Sequence, residues 1–144
     1  MRAALLVPLL LLGACSRLEE TPLTKSDWTN GRQPCSENRL SFHDGRIAYY
    51  PKGSKPLVMF EIAAMKADVS DPSLTVVRVR PTRPVLDEAR RQGAALPPDV
   101  EIMMLFRVVN DRLVLAQVAK GDGSNRHAAS PQDSQNYDLL RCRS

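Results

Sequence analysis

Apolar residues at every second position, interrupted by turn signals at short intervals, constrain this chain more than any other feature. "VEIMMLFRVV" sets Val100, Ile102, Met104, Phe106 and Val108 on one side, with Glu101 and Arg107 on the other. "PLVMFEIAAM" does the same with Val58, Phe60, Ile62 and Ala64. Successive side chains of a strand point to opposite faces, so such runs bury one face and wet the other as β structure. The runs "RLSF", "RIAYY", "SLTVVRVR", "NDRLVLAQVA" and "QNYDLLRC" read as further strands. Between them, Asp44-Gly45 and Asn110-Asp111 supply residues that tolerate the positive φ of tight hairpin turns. Pro81 ends the "SLTVVRVR" run, as a residue without an amide donor should.

Two segments depart from the alternation. "RPVLDEARRQG" has Pro84 near its start and Gly93 just past its end, the arrangement expected of a short helix. "KGDGSNRHAASPQDSQ" is polar and aperiodic and is expected to be an exposed, mobile loop. About seven short strands and one short helix predict a mainly β domain, a small antiparallel β-sandwich or barrel. A covalent tie between the first and last strands would favour the closed form.

The N-terminus carries a different kind of signal. Arg2 precedes an apolar run from Ala3 to Leu12, followed by the small residues Gly13 and Ala14. That layout is a secretory signal peptide, and the run falls short of the ~20 apolar residues a membrane-spanning helix needs. Leu12-Gly13-Ala14-Cys15 resembles the lipobox of bacterial lipoproteins. The resemblance covers residues 1–16 only and implies that the Cys15 thiol is acylated and becomes the mature N-terminus. Ser16, where an aspartate would imply inner-membrane retention, implies sorting to the outer membrane, lipid-anchored and facing the periplasm. Several acyl chains hold stably where one is marginal. The expected organisation is a signal peptide over 1–14, a lipidated tether over 15–34 and a globular domain over 35–144. A coil of about twelve residues would hold that domain roughly 20 Å from its lipid. Trp28 is out of place in a polar tether: either it packs over one end of the domain, or it meets the membrane interface or a partner.

With Cys15 committed to lipid, the other two of the three cysteines, Cys35 and Cys142, make an even count in a disulfide-permissive compartment. A Cys35–Cys142 bond is expected, with two free structural thiols as the competing reading. Removing residues 1–14 leaves 19 basic against 16 acidic side chains. That balance is too even to argue for nucleic acid, and export argues against it further.

The inventory for catalysis is thin. His43 sits beside Asp44 in a turn and His127 in the polar loop, with no GxSxG, HExxH or clustered Cys/His spacing around either. Neither a cofactor nor a metal site is expected. Asp87 and Glu88 are adjacent on the predicted helix and point apart, so they cannot flank one bond. Glu61 interrupts an apolar strand and faces either solvent or a ligand cavity. Two features suit binding. Arg78, Arg80, Arg83, Arg90 and Arg91 form a basic patch for phosphate or carboxylate groups, or else a solvated strand edge. Met59, Met65, Met103, Leu105 and Val109 lie opposite the main apolar stripes; either the helix covers that face or it forms a lipid pocket or protein interface. These readings point to a non-enzymatic, outer-membrane-anchored binding domain for an envelope protein or lipid. The rivals are a tethered inhibitor or immunity-type protein presenting residues 120–135 to a cell-wall hydrolase or toxin, and a periplasmic hydrolase.

Overall fold

The structure, a computed structural model, describes residues 20–31 and 34–143. Nine strands follow in chain order: β1 (Trp28–Thr29), β2 (Asn38–Ser41), β3 (Arg46–Pro51), β4 (Leu57–Ala67), β5 (Leu74–Pro81), β6 (Ile102–Val109), β7 (Arg112–Lys120), β8 (His127–Ala128) and β9 (Leu139–Arg141). Helix α1 (Arg83–Arg91) joins β5 to β6, and α2 (Pro131–Asn136) precedes β9. The strands lie in the order β6-β5-β4-β3-β2-β1-β9-β7-β8, and a β6–β7 pairing closes the circuit. The fold is therefore a closed antiparallel eight-strand barrel with one extra strand and two short helices. The first half of β7 pairs with β9 and its second half with β8, which leaves β8 outside the barrel. Asp44 (φ 56°), Gly45 (φ 68°) and Asn110 (φ 55°) take the left-handed conformation at the two hairpin turns.

The interior is filled by Phe42, Ile47, Ile62, Val77, Val79, Met104, Phe106, Leu113 and Leu115, all buried. Phe106 meets Phe42 edge-on at 5.4 Å. Thus β6 points the expected residues inward. In β4 the simple alternation fails. Ile62 opposes Val79 but Ala64, not Ala63, opposes Arg78, so Ala63 is an extra residue. Ile47 opposes Phe60 while Ala48 opposes Val58, making Met59 a second extra residue. Each such β-bulge shifts the period-two count by one, so residues beyond it change face. Met65 consequently points into the core, and Met59 packs against it. The single methionine face expected from the sequence does not exist: Met59 and Met65 are inside, while Met103, Leu105 and Val109 face outward.

The segment expected to be a tether is part of the barrel from about residue 20. Leu23 and Trp28 are 0% exposed, and Trp28 Nε1 donates to the Leu23 carbonyl at 3.1 Å. Trp28 pairs with Leu40 on one side and Arg141 on the other, closing the gap between β2 and β9. Two large apolar side chains outweigh the polar composition around them, because burying each contributes about 2 kcal/mol or more. The Cys35–Cys142 disulfide is formed, with an S–S distance of 1.99 Å and Cα atoms 5.8 Å apart.

The segment expected to be a mobile loop is also structured. It contains β8 and α2, the latter capped by Ser130, whose Oγ accepts from the Asp133 amide at 3.1 Å. Arg126 donates to Gln117 and, at 2.9 Å, to Asp68. Gln117 sits opposite Leu105, and Asp68 is bonded through its amide to the Leu74 carbonyl at 2.9 Å. The Arg126 side chain thus crosses the outside of the barrel beside Leu74, Val76 and Leu105, a second buried apolar cluster. Helix α1, which buries none of its residues, does not cover that face.

Candidate functional site

The two ends of the barrel differ. At the end where the described chain begins, residues 20–22 line a small cavity of ≈ 140 Å³ with Ala67, Pro72, Ser73 and Val108, beside the β4–β5 turn. Leu23 is fully buried there, and Thr21 Oγ1 donates to Met65 Sδ at 3.1 Å. This near end is plugged by the chain itself. The far end carries the β3–β4 turn and both helices, and there a cavity of ≈ 290 Å³ opens between β2, β3, β4 and α2.

Each wall of the cavity has a local cause. The bulge at Met59 displaces that side chain from the strand alternation into the lining. Leu40 and Tyr49 are register partners whose side chains share the inner face, and the Tyr49 hydroxyl donates to Asn38 Oδ1. Helix α2 ends at Asn136, delivering Tyr137 with its ring edge-on to Phe106 at 5.7 Å. Burial, with a smaller contribution from the Asp133 charge, pushes the Tyr137 phenol up to about 12. Leu139 and Trp28 complete the apolar part, and Asn30, Asn38 and Asn136 contribute carboxamides. Among the described lining residues the one formal charge belongs to Arg39. That guanidinium is held by Asp27 at 3.1 Å and stacked over Tyr50 at 4.3 Å. The result is an open concavity with apolar walls and amide groups, in which the one charge is already paired, the character of a small-ligand site in a barrel mouth.

Of the residues singled out from the sequence, Met59 and Trp28 line this cavity. Arg78 and Arg80 point outward from β5, and Arg80 pairs with Glu101 at 3.0 Å. On α1, Arg90 pairs with Asp87 at 3.7 Å and Arg91 with Glu88, whose carboxyl lies below its usual range through the Arg91 hydrogen bond. Arg83 is exposed in the first turn of α1, whereas Arg78 is half-buried beside Met103. Carboxylates thus balance three of the five arginines, and the expected basic patch is neutralised along much of its length. Glu61 is exposed on the outer face, opposite Arg46 and Arg80. His43 pairs with Asp27 at 3.2 Å, and a His127 ring nitrogen meets the Asn125 carbonyl at 2.7 Å. Among the described residues no group of three or more His, Cys, Asp or Glu side chains is placed to hold a metal ion. Cys15 lies outside the described residues.

Asn38, Tyr49, Asn136 and Tyr137 were not legible as site residues. They come from three separate places in the sequence, and what assembles them is barrel closure together with a bulge that leaves no mark in composition. Compared with protein-family models, curated proteins and solved structures, the chain matches none.

Proposed function

We propose that this chain is a lipid-anchored protein of the bacterial cell envelope whose barrel is a non-enzymatic binding module for another envelope component. The observation that carries the reading is the asymmetry of the barrel: one end plugged by the chain's own Leu23, the other open into a mostly apolar cavity whose one charge is already paired. Acylation at Cys15 would leave five residues before the barrel begins at about Glu20. A fully extended span of that length covers roughly 18 Å. The plugged end would then face the membrane, and the cavity would open away from it, toward soluble components of the periplasm or the cell wall. The formed disulfide supports an oxidising compartment.

Residues 120–135, the raw material of an inhibitor-type reading, are pinned by Arg126, β8 and α2, so docking through them would present a preformed surface. The anchor is tested by growing cells with labelled palmitate and fractionating their membranes. The parent chain should carry label and sediment with the outer membrane, and Cys15→Ala should do neither. Continued labelling of the Cys15→Ala chain would refute the anchor.

A further inference from the structure

We propose that the far-end cavity binds an uncharged aromatic ring bearing one hydrogen-bonding edge. This rests on the reading of the barrel as a binding module and specifies its ligand. Charge is the first argument. Arg39, the one charged lining residue described, is already committed to Asp27 at 3.1 Å and to the Tyr50 ring at 4.3 Å. An ion entering the cavity would lose hydration without gaining a counter-charge, which disfavours carboxylates and ammonium groups alike. The walls are the second argument. Tyr49, Tyr137 and Met59 offer ring faces, ring edges and a thioether, the groups that pack best against another aromatic ring.

The rim is the third. Asn136 offers both donor and acceptor there, and Asn38, whose Oδ1 already accepts from the Tyr49 hydroxyl, offers its amide N–H groups, so a ligand edge that can hydrogen-bond gains partners that a bare hydrocarbon edge does not. Size completes the argument. A volume of ≈ 290 Å³ accommodates one or two fused rings, while the buried Trp28 and Leu40 close the inner end against a long acyl chain. Two sources supply this chemistry: a small aromatic molecule, or a tyrosine or tryptophan side chain on an envelope protein.

Trp28 is the only tryptophan and lines the cavity, so its indole N–H is a single-signal reporter. The experiment uses the full chain in lipid nanodiscs, labelled with ¹⁵N at tryptophan and titrated with 2-naphthol. A saturable shift with Kd on the order of 0.1 to 1 mM is expected for a ligand this small. 2-Naphthoate and 2-naphthylmethylamine, the charged counterparts, should bind at least tenfold more weakly. Met59→Phe, which fills the inner wall, should weaken 2-naphthol at least tenfold while the Trp28 resonance stays dispersed. If that variant loses its fold, Asn136→Ala on the exposed rim decides, with about threefold weaker binding expected. N-acetyltyrosinamide binding more tightly than 2-naphthol would assign a protein side chain as the source, and the reverse order a free small molecule. Absence of a saturable shift would overturn the proposal. So would equal binding of the charged analogues, or unchanged affinity in a folded Met59→Phe or in Asn136→Ala. The titration reads binding alone, so it can fail while the palmitate test at Cys15 succeeds.

Discussion

Breaking the Cys35–Cys142 bond should cost this domain about 5 kcal/mol. The two cysteines are 107 residues apart, so the bond closes nearly the whole described chain into one loop. The chain-entropy relation for a loop of that length gives about 16 cal/mol/K, or about 4.8 kcal/mol at 25 °C. The perturbation is the double substitution Cys35→Ala and Cys142→Ala, compared with the oxidised parent in guanidinium titrations. Trp28, fully buried at the β1 closure, reports unfolding through its fluorescence. The native barrel should survive, because the Cys142 amide still donates to the Asp27 carbonyl at 2.8 Å and the β1–β9 pairing is independent of sulfur. The loss therefore belongs to the unfolded chain. Native fluorescence should be unchanged, the midpoint should fall, and the melting temperature should drop by roughly 15–20 °C for a domain of this size. Typical domains have only about 5–15 kcal/mol in total, so the variant should sit near the edge of stability at 37 °C. A loss below about 1 kcal/mol with native fluorescence intact would refute the loop-closure reasoning.

Three further perturbations follow from particular contacts. Tyr137 ionises near 10.0 when unfolded and at about 12 when folded, so its contribution is complete below pH 10 and lost as pH rises toward 12. Tyr137→Phe should flatten that alkaline loss by roughly 2 to 3 kcal/mol, read as denaturant midpoints between pH 9 and 12; an unchanged pH profile would contradict the burial argument. Arg126→Ala removes the side chain that crosses the outer cluster and should cost on the order of 1 kcal/mol at neutral pH. The Arg126 hydrogen bond holds the Asp68 carboxyl below its usual range, so the gap between variant and parent should narrow as pH falls below about 4, seen in acid-dependent melts. A Cβ built on Gly121 lies 2.4 Å from Glu101 Cβ and 3.0 Å from its carbonyl oxygen. Gly121→Ala should therefore cost about 1 to 3 kcal/mol by thermal denaturation, and a neutral result would mean the β6 start yields easily.

Much of the fold was legible because alternation is read one strand at a time. The inward face of β6, the positive-φ turns at Asp44-Gly45 and Asn110 and the span of α1 rest on local signals, and the disulfide on the even cysteine count left once Cys15 is set aside. Closure was not local: it depends on Trp28, a single residue in a polar stretch, pairing on both sides. The bulges at Met59 and Ala63 were equally invisible, since an inserted residue looks like any other until its partner strand is known. They mattered most, because they turned an apparent outer methionine face into core and cavity wall. The polar loop misled for the opposite reason. Its order comes from Arg126 and the Ser130 cap, and a composition rich in Gly, Ser and Asn does not reveal such contacts. Arg78 and Arg80 share the outer face of β5, but the carboxylate partners of Arg80, Arg90 and Arg91 came from Glu101 across the sheet and from the same turn of α1.

The account's central claim is that the open end of the barrel is where this protein meets its target. The most direct measurement is site-specific photocrosslinking in living cells, with p-benzoylphenylalanine placed at Asn136 on the cavity rim or at Lys66 on the exposed outer wall of β4. The account predicts a discrete adduct with one envelope component from Asn136 and none from Lys66. Adducts of equal yield from both positions, or none from Asn136 in cells where the protein is correctly lipidated, would contradict it.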